Sequence, residues 1–110
     1  MTAYAIANLQ SVNMGPAIVE YLERIDATLA PYSGRYVIHG GPKQELEGCW
    51  PGDVIMIAFP DLATARAWYG SQAYAAIKAL RTDNSSGEVI LIEGVSEDHK
   101  ATDILAGAGG

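Results

Sequence analysis

Two histidines, His39 and His99, are the side chains here whose charge changes near neutral pH, so proton chemistry is sought at them first. His39 closes a short apolar run beside Gly40-Gly41. Glycines there allow close backbone approach, and a histidine so placed could act as a general base. The plainer reading is a strand-end histidine with no task. His99 lies in a polar tail, a setting that rarely holds catalytic geometry. Arg35 begins the run that His39 ends, next to Tyr36. It could clamp a carboxylate or steady an oxyanion, or it could pair with one of the chain's acids.

A second group of residues could line a binding pocket. Asn8 is an amide inside an otherwise apolar strand, so it is either satisfied structurally or aimed at a ligand. Trp50 and Tyr69 supply aromatic surface that could face a cavity, whereas Trp68 sits on a helical apolar stripe and reads as core. Arg81 and Asp83 follow the second helix and could line a pocket mouth or cap and turn the chain. Cys49 is the single cysteine, in a Gly-rich turn with nothing evident to lower its pKa. One thiol forms neither an internal disulfide nor a thiolate cluster, and the histidines and acids lack metal-ligand spacing. No metal and no cofactor are expected. The chain carries no Ser-His-Asp order, Walker loop or dinucleotide fingerprint.

Composition sets the frame for these groups. The 110 residues are 49% hydrophobic and 18% charged, which fits one globular domain and excludes a disordered tail. Asp and Glu number 13 against 7 Lys and Arg, for a net charge of -6. The cations are scattered, so neither nucleic acid nor an anionic membrane surface is an expected partner. No charged segment precedes an apolar one at the N-terminus, and the longest apolar run, residues 54–59, is too short to span a bilayer. A cytoplasmic location is expected.

The elements that must position these groups read as β-α-β-β-α-β. Residues 3–10 form a short apolar strand, followed by a turn over 11–15. Pro16 suits a first helical turn, and Ile18, Leu22, Ile25 and Leu29 follow at helical spacing until Pro31. Residues 35–39 and 54–59 read as strands, joined by an irregular arm and turn. Asp61 is a good N-cap; Gly70-Ser71 breaks the helix that follows, and Ser71 recaps a second piece carrying Tyr74, Ile77 and Leu80. Residues 82–87 form a polar loop and 88–95 the last strand. This order predicts an α+β, ferredoxin-like fold: a four-stranded antiparallel sheet with two helices on one face. Residues 1–95 are the domain, and 96–110 form a tail that is flexible or packs on a partner chain.

The strands also predict a partner. A sheet covered on one side should alternate apolar and polar residues. Here Val54, Met56 and Ala58 oppose Ile55, Ile57 and Phe59, and Val89 and Leu91 oppose Ile90 and Ile92. Both faces are apolar while two helices cover only one. A second copy of the sheet is the simplest cover, so a homodimer through the open sheet face is expected. The alternative cover is the C-terminal tail, for which Ile104-Leu105 is thin material.

Gly34-Arg35-Tyr36, Gly40-Gly41, Glu47-Gly48 with Trp50, Phe59-Pro60, Ala65-Arg66-Ala67-Trp68-Tyr69 with Ser71 and Tyr74, and Leu80-Arg81 follow one another in an order and spacing that resembles the DUF1330 family of the dimeric α/β-barrel superfamily. The family often has an arginine where this chain has His39. The resemblance implies a ferredoxin-like protomer paired through its sheets, and it implies no reaction. Related barrels include cofactor-free monooxygenases, isomerases, cyclases and haem enzymes, so the fold alone spreads over many chemistries. The leading expectation is a small dimeric protein acting on a small organic acid or aromatic molecule by cofactor-free proton transfer, such as isomerisation or cyclisation. His39 would be the base and Arg35 the anion partner, with Asn8, Trp50, Tyr69, Arg81 and Asp83 contacting the substrate. The alternative is a non-catalytic ligand-binding or assembly module. Convergence of His39, Arg35 and Asn8 on one cavity would separate the two readings.

Overall fold

The computed structural model of the chain describes residues 1–107; the last three residues of the expected tail, 108–110, lie outside the described residues. Strand β1 spans Ala3–Val12, two residues longer than the sequence pattern suggests. Helix α1 spans Pro16–Leu29, starting at Pro16, whose missing N–H costs nothing in a first turn. A short 3-10 turn, Ala30–Tyr32, carries Pro31, and Ser33 adopts a left-handed conformation before β2, Arg35–His39. Strand β3 spans Asp53–Phe59. The second helical segment is broken as expected at Gly70-Ser71 into α2, Leu62–Tyr69, and α3, Gln72–Thr82. Asp61 and Ser71 cap the two pieces, accepting hydrogen bonds from the backbone N–H groups of Thr64 and Tyr74. Strand β4 covers Ser85–Glu93, so the polar loop before it is shorter than expected. A one-turn helix, α4, Asp103–Gly107, ends the described chain.

The sheet order is β2-β3-β1-β4 with every neighbouring pair antiparallel, which is the ferredoxin-like arrangement. In a single chain the sheet is open, with β2 and β4 as its edges; a barrel requires a second chain. Register assigns the faces. Ala5 stands opposite Ile57 and Leu91, and Ala7 opposite Ile55 and Val89, on the side covered by helices. The small alanines of the central strand leave room for the large side chains of α1 and α3. Ile18, Tyr21, Ile25 and Leu29 of α1 are buried with Ala65, Trp68, Tyr74 and Ile77. The buried stripe of α1 therefore runs through Tyr21, and Leu22, 41% exposed, lies at its margin. Both sets obey the i, i+3/i+4 rule, and packing against α3 chooses between them.

One polar relay runs through this core. The Trp68 indole N–H donates to Thr28 Oγ1 at 3.0 Å, and that hydroxyl donates to the Ile25 carbonyl at 2.7 Å. Thr28 thus satisfies itself and the buried indole. Trp68 is core, as its stripe suggests, wedged between Phe59 and Tyr74 at ring-centroid distances of 5.4 and 4.3 Å.

The opposite face carries Tyr4, Ile6, Asn8, Val54, Met56, Ala58, Ile90, Ile92 and Ile38. Ile90, Ile92 and Ile38 remain 51%, 47% and 39% exposed. The tail does not cover them within one chain, because Ile104 and Leu105 are themselves exposed. Residues 40–52 form an arm between β2 and β3, exposed up to Pro51 and pinned by Lys43 Nζ donating to the Gly52 carbonyl at 2.7 Å and by the Trp50 N–H donating to Glu45. The radius of gyration is 15.7 Å, above the ~13 Å of a compact chain this long. Among the described residues no helix is long and apolar enough to cross a membrane.

Candidate functional site

A cavity of about 90 Å³ lies between the helix-facing side of the sheet and helices α1 and α3. Its floor is Ala5, Ala7, Ile55, Ile57 and Val89, and its walls include Ile18, Leu22 and Trp68. Against this apolar surface stand Tyr21, Tyr36, His39, Tyr69, Tyr74 and Arg81. Most ligand sites combine an apolar lining with few polar groups in this way.

His39 reaches the cavity because β2 is irregular. Tyr36 pairs with Ile57, Ile38 with Met56 and His39 with Ile55, so β2 spends one residue more than β3 between the first two pairs. This bulge at Val37 reverses the alternation. Tyr36 and His39, three residues apart, consequently share one face, and their rings stack at 4.4 Å with planes 18° apart. A regular strand would place them on opposite faces.

Arg35 goes the other way. It pairs with Ala58 and shares the open face with Tyr4 and Ile92, so it cannot partner His39 in the cavity of its own chain. Strand parity alone separates Arg35 from Tyr36. Asn8 is likewise on the open face, opposite Val54 and Glu88, with its Nδ2 3.5 Å from Glu88 Oε1 and its Oδ1 buried without a partner among the described residues. Trp50 is 54% exposed on the arm and lines neither the core cluster nor the cavity. Asp83 caps the C-terminus of α3 through its backbone and does not line the cavity. Of the seven residues assigned from sequence, His39, Tyr69 and Arg81 converge, and Arg35, Asn8, Trp50 and Asp83 do not.

At the polar centre of the cavity the expected Arg81 meets two tyrosines that the sequence reading did not assign to a site. The hydroxyls of Tyr21 and Tyr74 lie 2.8 Å apart, and the Arg81 guanidinium carbon sits 6.0 Å from the centre of the Tyr21 ring. Burial, with Tyr74 beside it, drives the Tyr21 hydroxyl far above its usual range, and Arg81 opposes this in part. Burial works against the Arg81 charge too, but Tyr74 and then Tyr21 outweigh it and hold the guanidinium above its ordinary pKa. Tyr36 is pushed up to about 12, chiefly by burial and then by Asp26 and Tyr74. Tyr21 and Tyr36 are therefore neutral proton donors near pH 7, beside a fixed cation. The available signal was spacing: Tyr21 lies three residues after Ile18 and four before Ile25. Tyr74 was readable as part of an apolar stripe and of the family pattern, neither of which marks it as a site residue. Among the described residues no group of three or more His, Cys, Asp or Glu side chains is placed to hold a metal ion.

A ferredoxin-like α+β domain with one helix-covered face, one bare apolar face and a small aromatic cavity defines the class. The DUF1330 profile, described as a domain of unknown function, matches residues 2–95, and the chain belongs to that family. Among solved structures it is similar to a protein of unknown function from Rhodopseudomonas palustris, with 13% identity, a TM-score of 0.63, and coverage of 86% of this chain and 83% of that one. It is also similar to a dimeric ferredoxin-like protein of unknown function from Jannaschia sp. CCS1, at 13% identity and a TM-score of 0.59, covering 87% of this chain and 100% of that one. These likenesses concern the fold. No curated protein matches the chain.

Proposed function

We propose that this chain is a homodimeric α/β-barrel protein that binds a small organic acid or aromatic molecule in the cavity beneath its helices. The observation that carries the binding reading is the dispersal of the expected catalytic pair. His39 lines the cavity while Arg35 lies across the sheet from it. What remains around the cavity is an apolar and aromatic lining with a few fixed polar groups, which suits recognition. The pairing rests on the bare isoleucines of the open face and is supported by the dimeric Jannaschia neighbour. A thermal-shift screen of small carboxylates and aromatic acids tests the reading, since a ligand held only by the folded chain raises its melting temperature. A set that leaves the midpoint unmoved overturns it.

One observation favours a second, enzymatic reading. His39 shares the cavity with the neutral hydroxyls of Tyr21 and Tyr36. A base and acids in one enclosure suit cofactor-free proton transfer, as in an isomerisation or cyclisation. On any substrate that the protein turns over, His39→Ala should cost about a hundredfold or more in rate; unchanged turnover removes the assignment.

A further inference from the structure

We propose that the cavity is a monocarboxylate site, in which Arg81 clamps the carboxylate, a tyrosine hydroxyl of the Tyr21–Tyr74 pair donates to it, and the aliphatic floor takes a short carbon chain. The inference rests on the ligand-binding reading above and names the ligand class and the residues that select it.

Three observations converge on it. The first is charge. Arg81 is partly buried and lines the cavity, yet no Asp or Glu lines it. The ion pairs among the described residues are Glu20–Arg24 and His99–Asp103, and neither involves Arg81. The guanidinium is held by tyrosine hydroxyls and has no anion beside it among the described residues, and its planar fork of donors matches a carboxylate. The two tyrosine hydroxyls facing it offer lone pairs to only some of its five N–H donors.

The second is the hydrogen-bond count. Of two hydroxyls 2.8 Å apart, one donates and the other accepts. The accepting tyrosine keeps its own O–H, and no acceptor for it appears among the described residues. One unspent donor therefore stands beside the cation. A carboxylate supplies the missing negative charge and the missing acceptors together.

The third is size and lining. Arg81 is the one permanently charged residue on the cavity wall, so a single negative charge balances it. Beyond the Tyr21–Tyr74–Arg81 corner the floor is aliphatic, formed by Ala5, Ala7, Ile55, Ile57 and Val89, and the edge strands add Tyr36, His39 and Ser85 but no further permanent charge. The volume of about 90 Å³ is smaller than the ~150 Å³ of an apolar cavity that accepts benzene. A chain of a few carbons fits this space and a dianion does not suit it.

Titration of the ¹⁵N-labelled full chain with sodium butyrate, followed through amide resonances and the Arg81 Nε–Hε signal, tests the assignment. Butyramide, equal in shape and uncharged, and inorganic phosphate are the comparisons. Butyrate is expected to shift Arg81 and the cavity residues. Butyramide should bind at least tenfold more weakly, and phosphate should leave the cavity resonances in place. Arg81→Met should weaken butyrate at least tenfold and Tyr74→Phe severalfold. Arg81→Lys, which keeps charge and stem but loses the fork, should weaken it severalfold with the spectrum otherwise unchanged; it decides the matter if the methionine variant does not fold. Equal binding of butyrate and butyramide, equal binding of phosphate, or wild-type affinity in both Arg81 variants overturns the carboxylate assignment while leaving a ligand cavity. Absence of cavity shifts with butyrate and butyramide alike overturns both the assignment and the binding reading beneath it.

Discussion

Replacing Ile90 and Ile92 together by lysine should abolish the proposed pairing through the open sheet face without unfolding the protomer. Both side chains stand on the bare face of β4, 51% and 47% exposed. Full burial of an isoleucine is worth about 1.5–3 kcal/mol, so the half still wet is worth about 1 kcal/mol for each residue. A twofold interface counts each residue twice, which brings the pair to about 4 kcal/mol. The double variant forfeits this and sets four ammonium groups close together. At 1.4 kcal/mol per factor of ten, the dissociation constant should rise about a thousandfold. Because the face is already solvent-exposed in one chain, the circular dichroism spectrum should not change. Sedimentation equilibrium over a range of concentrations measures the constant directly. A parent protein that sediments as a monomer at micromolar concentration, or a double variant that associates as tightly as the parent, would refute the reasoning.

Three further outcomes follow from the core and the caps. Thr28→Val strands the buried Trp68 indole N–H and should cost about 1–3 kcal/mol in urea unfolding, whereas Thr28→Ser should cost less because it keeps the acceptor. Tyr36 holds its proton up to about 12 in the folded chain; the stability this contributes is full below the ordinary tyrosine value near ~10 and is lost as pH rises through the folded value. Tyr36→Phe should therefore flatten the alkaline limb of the stability curve, read against tyrosinate absorbance. Asp61 is held below the usual carboxylate range by its hydrogen bonds to Thr64, so its contribution is present above the unfolded pKa and disappears as pH falls through the folded one. Asp61→Asn should remove that component from acid-unfolding curves and leave the neutral-pH fold unchanged.

The order of elements was legible because its signals are local. Pro16, Asp61 and Ser71 mark helix starts by their own chemistry, and the break at Gly70 shows at the residue where it occurs. The apolar character of both strand faces was legible for the same reason, since alternation is a property of one strand. The cavity was less so. His39, Tyr69 and Arg81 were singled out by residue type and neighbourhood, and they meet there. Arg35 was singled out on the same grounds and points away, because one step along a strand changes the face. Tyr21 was overlooked because Ile18, Ile25 and Leu29 complete an equally regular helical stripe with either Leu22 or Tyr21.

By itself, then, the sequence determined the α+β order, the capped and broken second helix, and a surplus of apolar strand surface that a single chain leaves bare. These follow from dihedral preferences, capping groups and side-chain period, each of which acts over a few residues. Tertiary structure decided the rest. The bulge at Val37 exists only as a register difference between β2 and β3, and it turns His39 toward the cavity. The meeting of Tyr21 with Tyr74 joins residues 53 positions apart on different helices. Such juxtapositions depend on how two elements are placed against a third, and no pattern within either element encodes them.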